Sequence, residues 1–334
     1  MLEALLVAAI VVAVGFDFTN GFHDTANAIA TSVSTRAMTP RQAVALSALL
    51  NLVGAVVTVV FFQAKVSNTI AKIVGYDVTL VLVLAAMLGA ITWNLATWAL
   101  GLPSSSTHAL VGGLVGAALA ATHGPSGIHW GAVVTVVLSL IVSPPFGFAA
   151  GAVFMTLLLL SVRRLRPGPL NRTFRGLQVL TAAFVSYSHG SNDAQKTMAV
   201  IALALLATHH ISHFFIPIWV VVLSAAAIGF GTYAGGWRII RTLGWRIYKL
   251  EPATGMAAQL MGAAVIQLAT QVGLPVSTTH VVTGSVMGAG APQHLSAMRW
   301  GLGANIALAW VLTIPVAGAL AWVAFAILHT AGLP

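Results

Sequence analysis

The sequence predicts an all-α membrane protein built from two inverted repeats, with about 10–12 transmembrane segments that include two proline-broken re-entrant hairpins. Three observations carry that expectation. Of the 334 residues, 58% are hydrophobic and only 6% charged, too few polar side chains to coat a soluble protein of this length. The apolar residues gather in runs of about 18 or more, which suits membrane-crossing helices and not barrel strands. The polar residues inside those runs form one pattern that occurs twice. Gly21-Phe22-His23-Asp24-Thr25-Ala26-Asn27-Ala28 answers to Gly190-Ser191-Asn192-Asp193-Ala194-Gln195-Lys196-Thr197, and Gly101-Leu102-Pro103-Ser104-Ser105-Ser106-Thr107-His108 to Gly273-Leu274-Pro275-Val276-Ser277-Thr278-Thr279-His280.

Along the chain, residues 1–160 read as an N-terminal membrane repeat, 161–176 as a basic linker and 177–334 as a C-terminal repeat of opposite topology. The first apolar run leads into no soluble domain through a small-residue cleavage site, so it reads as a retained helix rather than a signal peptide. Ala43 to Phe62, Thr79 to Leu100 and Gly131 to Leu160 follow in the first half, Ile216 to Gly235 and Leu302 to Leu328 in the second. About five nominal crossings fall in each half, an odd number, as inversion requires. Pro144-Pro145 marks a kink or a hairpin. Trp98, Trp130, Trp219, Trp237, Trp245 and Trp300 are read as interface anchors, and the many Gly and Ala positions allow close helix packing.

Charge sets the expected orientation. The net +9 comes from basic residues in short connections between apolar runs, where membrane topology accounts for them without nucleic acid. Arg163, Arg164, Arg166, Arg172 and Arg175 share one stretch with no acid, which places that central loop in the cytoplasm of a multi-pass cell-membrane protein. Arg238, Arg241, Arg246 and Lys249 fall on the same side, whereas the loop from Thr208 to His213 carries neither lysine nor arginine and its first-half counterpart holds Arg36 and Arg41. Lys65 and Lys72 run against this scheme, which puts them outside. The absence of cysteine excludes disulfides, thiolate metal sites and thiol nucleophiles.

Register tests the repeat. An offset of 169 pairs Asp17, Asn20, Asp24 and Asn27 with Ser186, His189, Asp193 and Lys196, and the spacing of 3, 4 and 3 puts each set on one helical face. Gly89-Ala90 and Leu95-Ala96-Thr97 match Gly262-Ala263 and Leu268-Ala269-Thr270 at 173, and Gly112 and Gly116 match Gly284 and Gly288 at 172. A carboxylate at membrane depth costs roughly 2.5 to 3.5 kcal/mol on insertion scales, so Asp24 and Asp193 at matched positions call for a common reason, and cation or proton handling supplies one. A structural carboxylate paired with a neighbouring helix is the plainer alternative. Asp17 has no acidic partner in the repeat and lies toward the outer end of the first helix, where a solvated or vestibule role fits it.

Pro103 and Pro275 interrupt apolar segments and are followed at once by hydroxyl clusters, which reads as a broken helix or re-entrant hairpin. A helix restarting after the proline offers unpaired amides, with Ser104, Ser105, Ser106 and Thr107, or Ser277, Thr278 and Thr279, as caps or additional donors, and such an end binds an oxyanion. His108 and His280 are matched across the repeats, and His23 and His189 titrate in the same useful range. His209, His210 and His213 fit a solvated loop better than a metal site.

With these motifs in hand, the whole chain resembles the PiT family of inorganic phosphate transporters, which carries a duplicated Gly-Ala-Asn-Asp-type signature and a duplicated Pro-hydroxyl-His hairpin in inverted repeats. The resemblance implies a secondary transporter that takes up inorganic phosphate across the lipid bilayer. It implies phosphate held by Asp24, Asn27 and Ser104, Ser105, Ser106 and Thr107 in one half, and by Asn192, Asp193 and Ser277, Thr278 and Thr279 in the other. Two departures bear on the driving ion. His23 replaces the first Asn of the signature, and Lys196 replaces the second downstream Asn, where an ammonium cannot coordinate sodium but can neutralise Asp193 or contact the anion. The pattern is similar to the bacterial low-affinity branch, which implies symport with a proton, with sodium as the alternative, and a divalent metal such as magnesium carried with phosphate. Asp24 and Asp193 are the candidate proton or metal carriers, and His23, His108, His189, Lys196 and His280 the further charge-handling residues. A homodimer and a PhoU-like cytoplasmic accessory protein belong to the same resemblance.

The rival within the transport class is a sulfate permease. The rival outside it is a membrane phosphatase using Asp24 or a serine hydroxyl with His108 as base. No P-loop or nucleophile elbow favours an enzyme, and an enzyme gives no reason to duplicate its site in inverted topology, so no catalytic residue and no cofactor are expected.

Overall fold

The structure is a computed structural model that describes residues 1–75, 78–242, 250–294 and 300–333. Trp245, Arg246 and Lys249, read above as an anchor and part of a basic loop, lie outside the described residues. The described residues form α1 (Leu2–Ser34), α2 (Pro40–Phe62), α3 (Lys65–Ala71), α4 (Leu80–Leu100), α5 (Ser106–Ala121) and α6 (Trp130–Val162), then α7 (Pro167–Ala207), α8 (Ile218–Ala234), α9 (Trp237–Arg241), α10 (Pro252–Gln271), α11 (Thr278–His294) and α12 (Trp300–Thr330). The same order of long and short helices thus runs twice.

Among the described residues six helices are long and apolar enough to cross a bilayer, namely α1, α2, α4, α6, α10 and most of α12. At 41 residues α7 is longer than any of them, but its middle carries Ser188, His189, Ser191, Asn192, Asp193, Gln195 and Lys196, all buried, which removes the continuous apolar signature. Large apolar side chains such as Val134, Leu138, Ile141 and Phe146 on α6 are exposed, as a lipid-facing surface requires. Pro144 and Pro145 lie inside α6, so the alternative of a hairpin there gives way to one continuous helix, with the Pro144 carbonyl turned to the close crossing with Gly284 of α11. At the junction of the halves α6 ends at Val162 and α7 starts at Pro167. Proline is well suited to a first helical position, so Arg172 and Arg175 are helical and only residues 163–166 form the break.

The halves are interlocked. The first helix of each half packs against the second helix of the other, α1 on α8 and α2 on α7, and the fifth of each against the sixth of the other, α5 on α12 and α11 on α6. The matched glycines lie at those last crossings: a Cβ on Gly112 or Gly116 would strike the backbone of Ile314 or Gly318, and one on Gly284 or Gly288 that of Pro144 or Phe148. Helices can approach this closely only where side chains are absent. α1 and α7 run antiparallel through the centre, since Asp17 meets Thr197, Asn20 meets Asp193 and Asp24 faces His189. Two apolar cores flank that centre. One takes Leu5 to Phe16 of α1 with Ala194 to Leu205 of α7, and the other Ala26 to Val33 of α1 with Ala182 and Val185 of α7.

Candidate functional site

Each hydroxyl cluster sits where a helix breaks and restarts. α4 ends at Gly101, whose φ of +67° favours glycine, and the Leu102 amide donates back to the Thr97 carbonyl. α10 ends the same way, with Gly273 at +77° and the Leu274 amide donating to the Ala269 carbonyl. After each proline a new helix begins, capped by serine: Ser105 Oγ accepts from the His108 amide at 3.2 Å and Ser277 Oγ from the His280 amide at 3.3 Å. Ser105 and Ser277 therefore act as caps here, and Ser106, Thr107, Thr278 and Thr279 on the first turns are the hydroxyls directed to the centre.

The two half-sites expected from the sequence meet as one buried cluster. The resemblance assigned each carboxylate to the hydroxyls of its own half, whereas Asp24 accepts from both, Ser106 at 3.2 Å and Thr279 at 3.1 Å. Its Oδ1 also lies 2.8 Å from His23 Nδ1. Asn27 donates to Thr279 Oγ1 at 2.9 Å, and at the repeat-equivalent place Lys196 donates to Thr107. Lys196 Nζ further donates to Asp193 Oδ1 at 2.6 Å and to the Val276 carbonyl at 3.2 Å, so all three of its hydrogens are engaged. Asp193 Oδ2 accepts from Thr278 at 3.4 Å and from Asn20 at 3.5 Å.

His189 stands between the carboxylates. Its Nε2 is 3.4 Å from Asp193 Oδ2 and 3.8 Å from Asp24 Oδ2. Its Nδ1 is 2.8 Å from Asn51 Oδ1, and Asn51 Nδ2 donates to Thr232 at 2.8 Å, an orientation that makes the Asn51 oxygen an acceptor and places a proton on Nδ1. Nε2 then faces both acids and can take a proton or offer a lone pair. Asp24, His189 and Asp193 are the group whose ligand atoms are close enough to share one metal ion among the described residues, so the metal candidates Asp24 and Asp193 gain a third member.

Other expected site residues take supporting places. Asn192 donates to Thr270 Oγ1 at 2.8 Å and to the Leu274 carbonyl at 3.3 Å, bracing the second break, and His23 Nε2 lies 3.4 Å from Thr97 at the equivalent spot. Ser104 is bonded to Thr97 at 2.7 Å. His108 and His280 lie against each other with tilted rings, centroids 4.4 Å apart, and His280 stacks on Trp310 at 3.7 Å. They line a cavity with the apolar side chains of α6 and α12. Asp17 is fully buried, not solvated. Asn51 was missed, although an amide in the middle of an apolar helix is a signal in its own right.

The described residues form an all-helical, multi-pass chain, and their buried aspartate and lysine side chains all lie on two antiparallel central helices, the arrangement of a membrane transporter. A model described as the phosphate transporter family matches residues 20–169 and 161–321. A protein of Bacillus subtilis named a probable low-affinity inorganic phosphate transporter is 43% identical over 98% of this chain and 98% of its own length. One of the same name from Rhizobium meliloti is 46% identical over 94% and 93%. A solved structure described as the sodium-dependent phosphate transporter superposes with a TM-score of 0.88 at 26% identity, over 98% of this chain and 99% of that one. The chain belongs to the phosphate transporter family.

Proposed function

We propose that this protein takes up inorganic phosphate at low affinity by secondary active symport with protons, and carries it as a divalent metal–phosphate complex where magnesium or a similar ion is present. The observation that carries the reading is the cluster of Asp24 and Asp193 around His189, with the hydroxyls of Ser106, Thr278 and Thr279 turned onto the two acids. Hydroxyls that donate to carboxylates in this state are the donors a tetrahedral oxyanion takes.

Electrostatics makes a co-substrate necessary. Two like unit charges 4 Å apart repel by about 4 kcal/mol at an effective dielectric constant of 20, and hydrogen phosphate beside two aspartates would meet that more than once. Lys196 relieves the share of Asp193, with which it is paired, but does not relieve that of Asp24. A proton or a divalent cation entering with the anion does. The ammonium also withholds from sodium an oxygen ligand at that position, which favours the proton over the ion on which the solved sodium-dependent relative relies. The antiparallel course of α1 and α7 supports repeats of inverted topology, with the arginines at residues 163–166 on the cytoplasmic side.

The test is radiolabelled phosphate uptake into proteoliposomes with magnesium, under an inward proton gradient, with excess sulfate as competitor. Phosphate can donate a hydrogen bond to a carboxylate and sulfate at neutral pH cannot, so sulfate is expected to leave uptake largely unchanged. Inhibition by sulfate equal to that by unlabelled phosphate would reassign the anion.

A further inference from the structure

We propose that Asp17 is the carboxyl that carries the coupling proton, an inference that rests on the proton-driven reading above. Asp17 lies on α1 between α7 and α8 with no exposed surface. Its Oδ1 accepts one hydrogen bond, from Thr197 at 2.7 Å, and its Oδ2 has no partner. Ser224 of α8 is a second hydroxyl near the carboxyl, outside hydrogen-bonding geometry, and makes no other hydrogen bond. Among the described residues no lysine, arginine or histidine comes within ion-pair distance of Asp17. The charged groups that face it are Asp193 and Lys196 of α7, which are paired with each other. α4 and α8 carry no Asp, Glu, Lys, Arg or His, and the one charged residue of α2, Arg41, is exposed.

The repeat sharpens the contrast. Asp17 corresponds to Ser186 at the offset of 169, and Ser224 corresponds to Ser47 in the same register that pairs Gly231 with Gly54. In the second half this contact is a hydroxyl pair, Ser186 donating to Ser47 at 3.0 Å. In the first half a carboxyl stands in a place built for a neutral hydrogen-bonding group. Asp24 has His23 and His189 beside it and Asp193 has Lys196 and His189, so among the described residues Asp17 is the buried acid left without a basic partner.

A proton from the outer water adds to the carboxylate, the loaded carrier reorients, and the acid gives the proton to the inner water, with an O–H bond as the sole bond made and broken. Thr197, which holds Asp17, is the residue next to Lys196, whose ammonium is paired with Asp193.

The experiment uses the full chain in proteoliposomes, as wild type and as Asp17→Asn, Asp17→Glu and Thr197→Val. Two readouts are taken in sodium-free buffer: phosphate–phosphate exchange at equal pH, and accumulation driven by an inward proton gradient. Asp17→Asn is expected to keep exchange at equal pH within about threefold and to lose at least about tenfold of the driven accumulation, while Asp17→Glu restores it. Thr197→Val, which keeps the carboxyl and removes its hydrogen bond, is expected to displace the pH profile of accumulation. If Asp17→Asn fails to fold, that second variant decides, and an unmoved profile overturns the assignment. Proton-driven accumulation that survives in Asp17→Asn overturns it while sparing the coupling reading. Wild type that exchanges phosphate but does not accumulate it under the proton gradient overturns both.

Discussion

Asp24 and Asp193 are held by donors from several helices, and that arrangement makes them sensitive to loss of charge. Asparagine at either position keeps the shape but places an amide hydrogen or a weaker acceptor where Ser106, Thr278 or Thr279 now donates. A hydrogen bond to a charged group contributes about 1.5–3 kcal/mol, so Asp24→Asn or Asp193→Asn should lower the initial rate of phosphate uptake by about 10- to 100-fold. Asn51→Leu removes the acceptor that fixes the His189 ring, and uptake should fall by about tenfold in protein whose thermal stability is checked in parallel. Most of this site was legible, because the repeat register singles out Asp24, Asn27, Asp193 and Lys196 without any structure. Asp17 and Asn51 were not, since their meaning depends on which helix faces them. No spacing along α1 tells that Ser224 and not water lies beside Asp17.

The helix breaks and crossings explain why the two halves read alike. The glycine-terminated helix, the proline and the serine cap recur with the same hydrogen bonds, and these local rules are written in local sequence. Removing a cap costs about 1 kcal/mol, so Ser105→Ala and Ser277→Ala should each lower thermal stability in detergent measurably. Gly116→Leu and Gly288→Leu should cost more, about 1–3 kcal/mol or beyond, because the new side chain would meet backbone at Gly318 or Phe148. Gly131→Leu, with open space around its Cβ, is the control and should leave the melting temperature unchanged. α7 escapes a search for apolar runs, because the residues that build the site are the ones that lower its hydrophobicity. The cross-packing of one half on the other is not encoded by any single element; it arises because each half leaves unpaired the faces that the other covers.

At the scale of the whole molecule, the polar centre lies between two apolar cores on helices that run in opposite directions. The energetic demand of the cluster is for a cation that enters with the anion. The most direct measurement is radiolabelled phosphate uptake into proteoliposomes with magnesium, comparing an inward proton gradient in sodium-free buffer with a matched sodium gradient at equal pH. Accumulation with the proton gradient alone is the expected result. Accumulation that appears only with sodium would leave the phosphate site standing and contradict the coupling assigned to these residues.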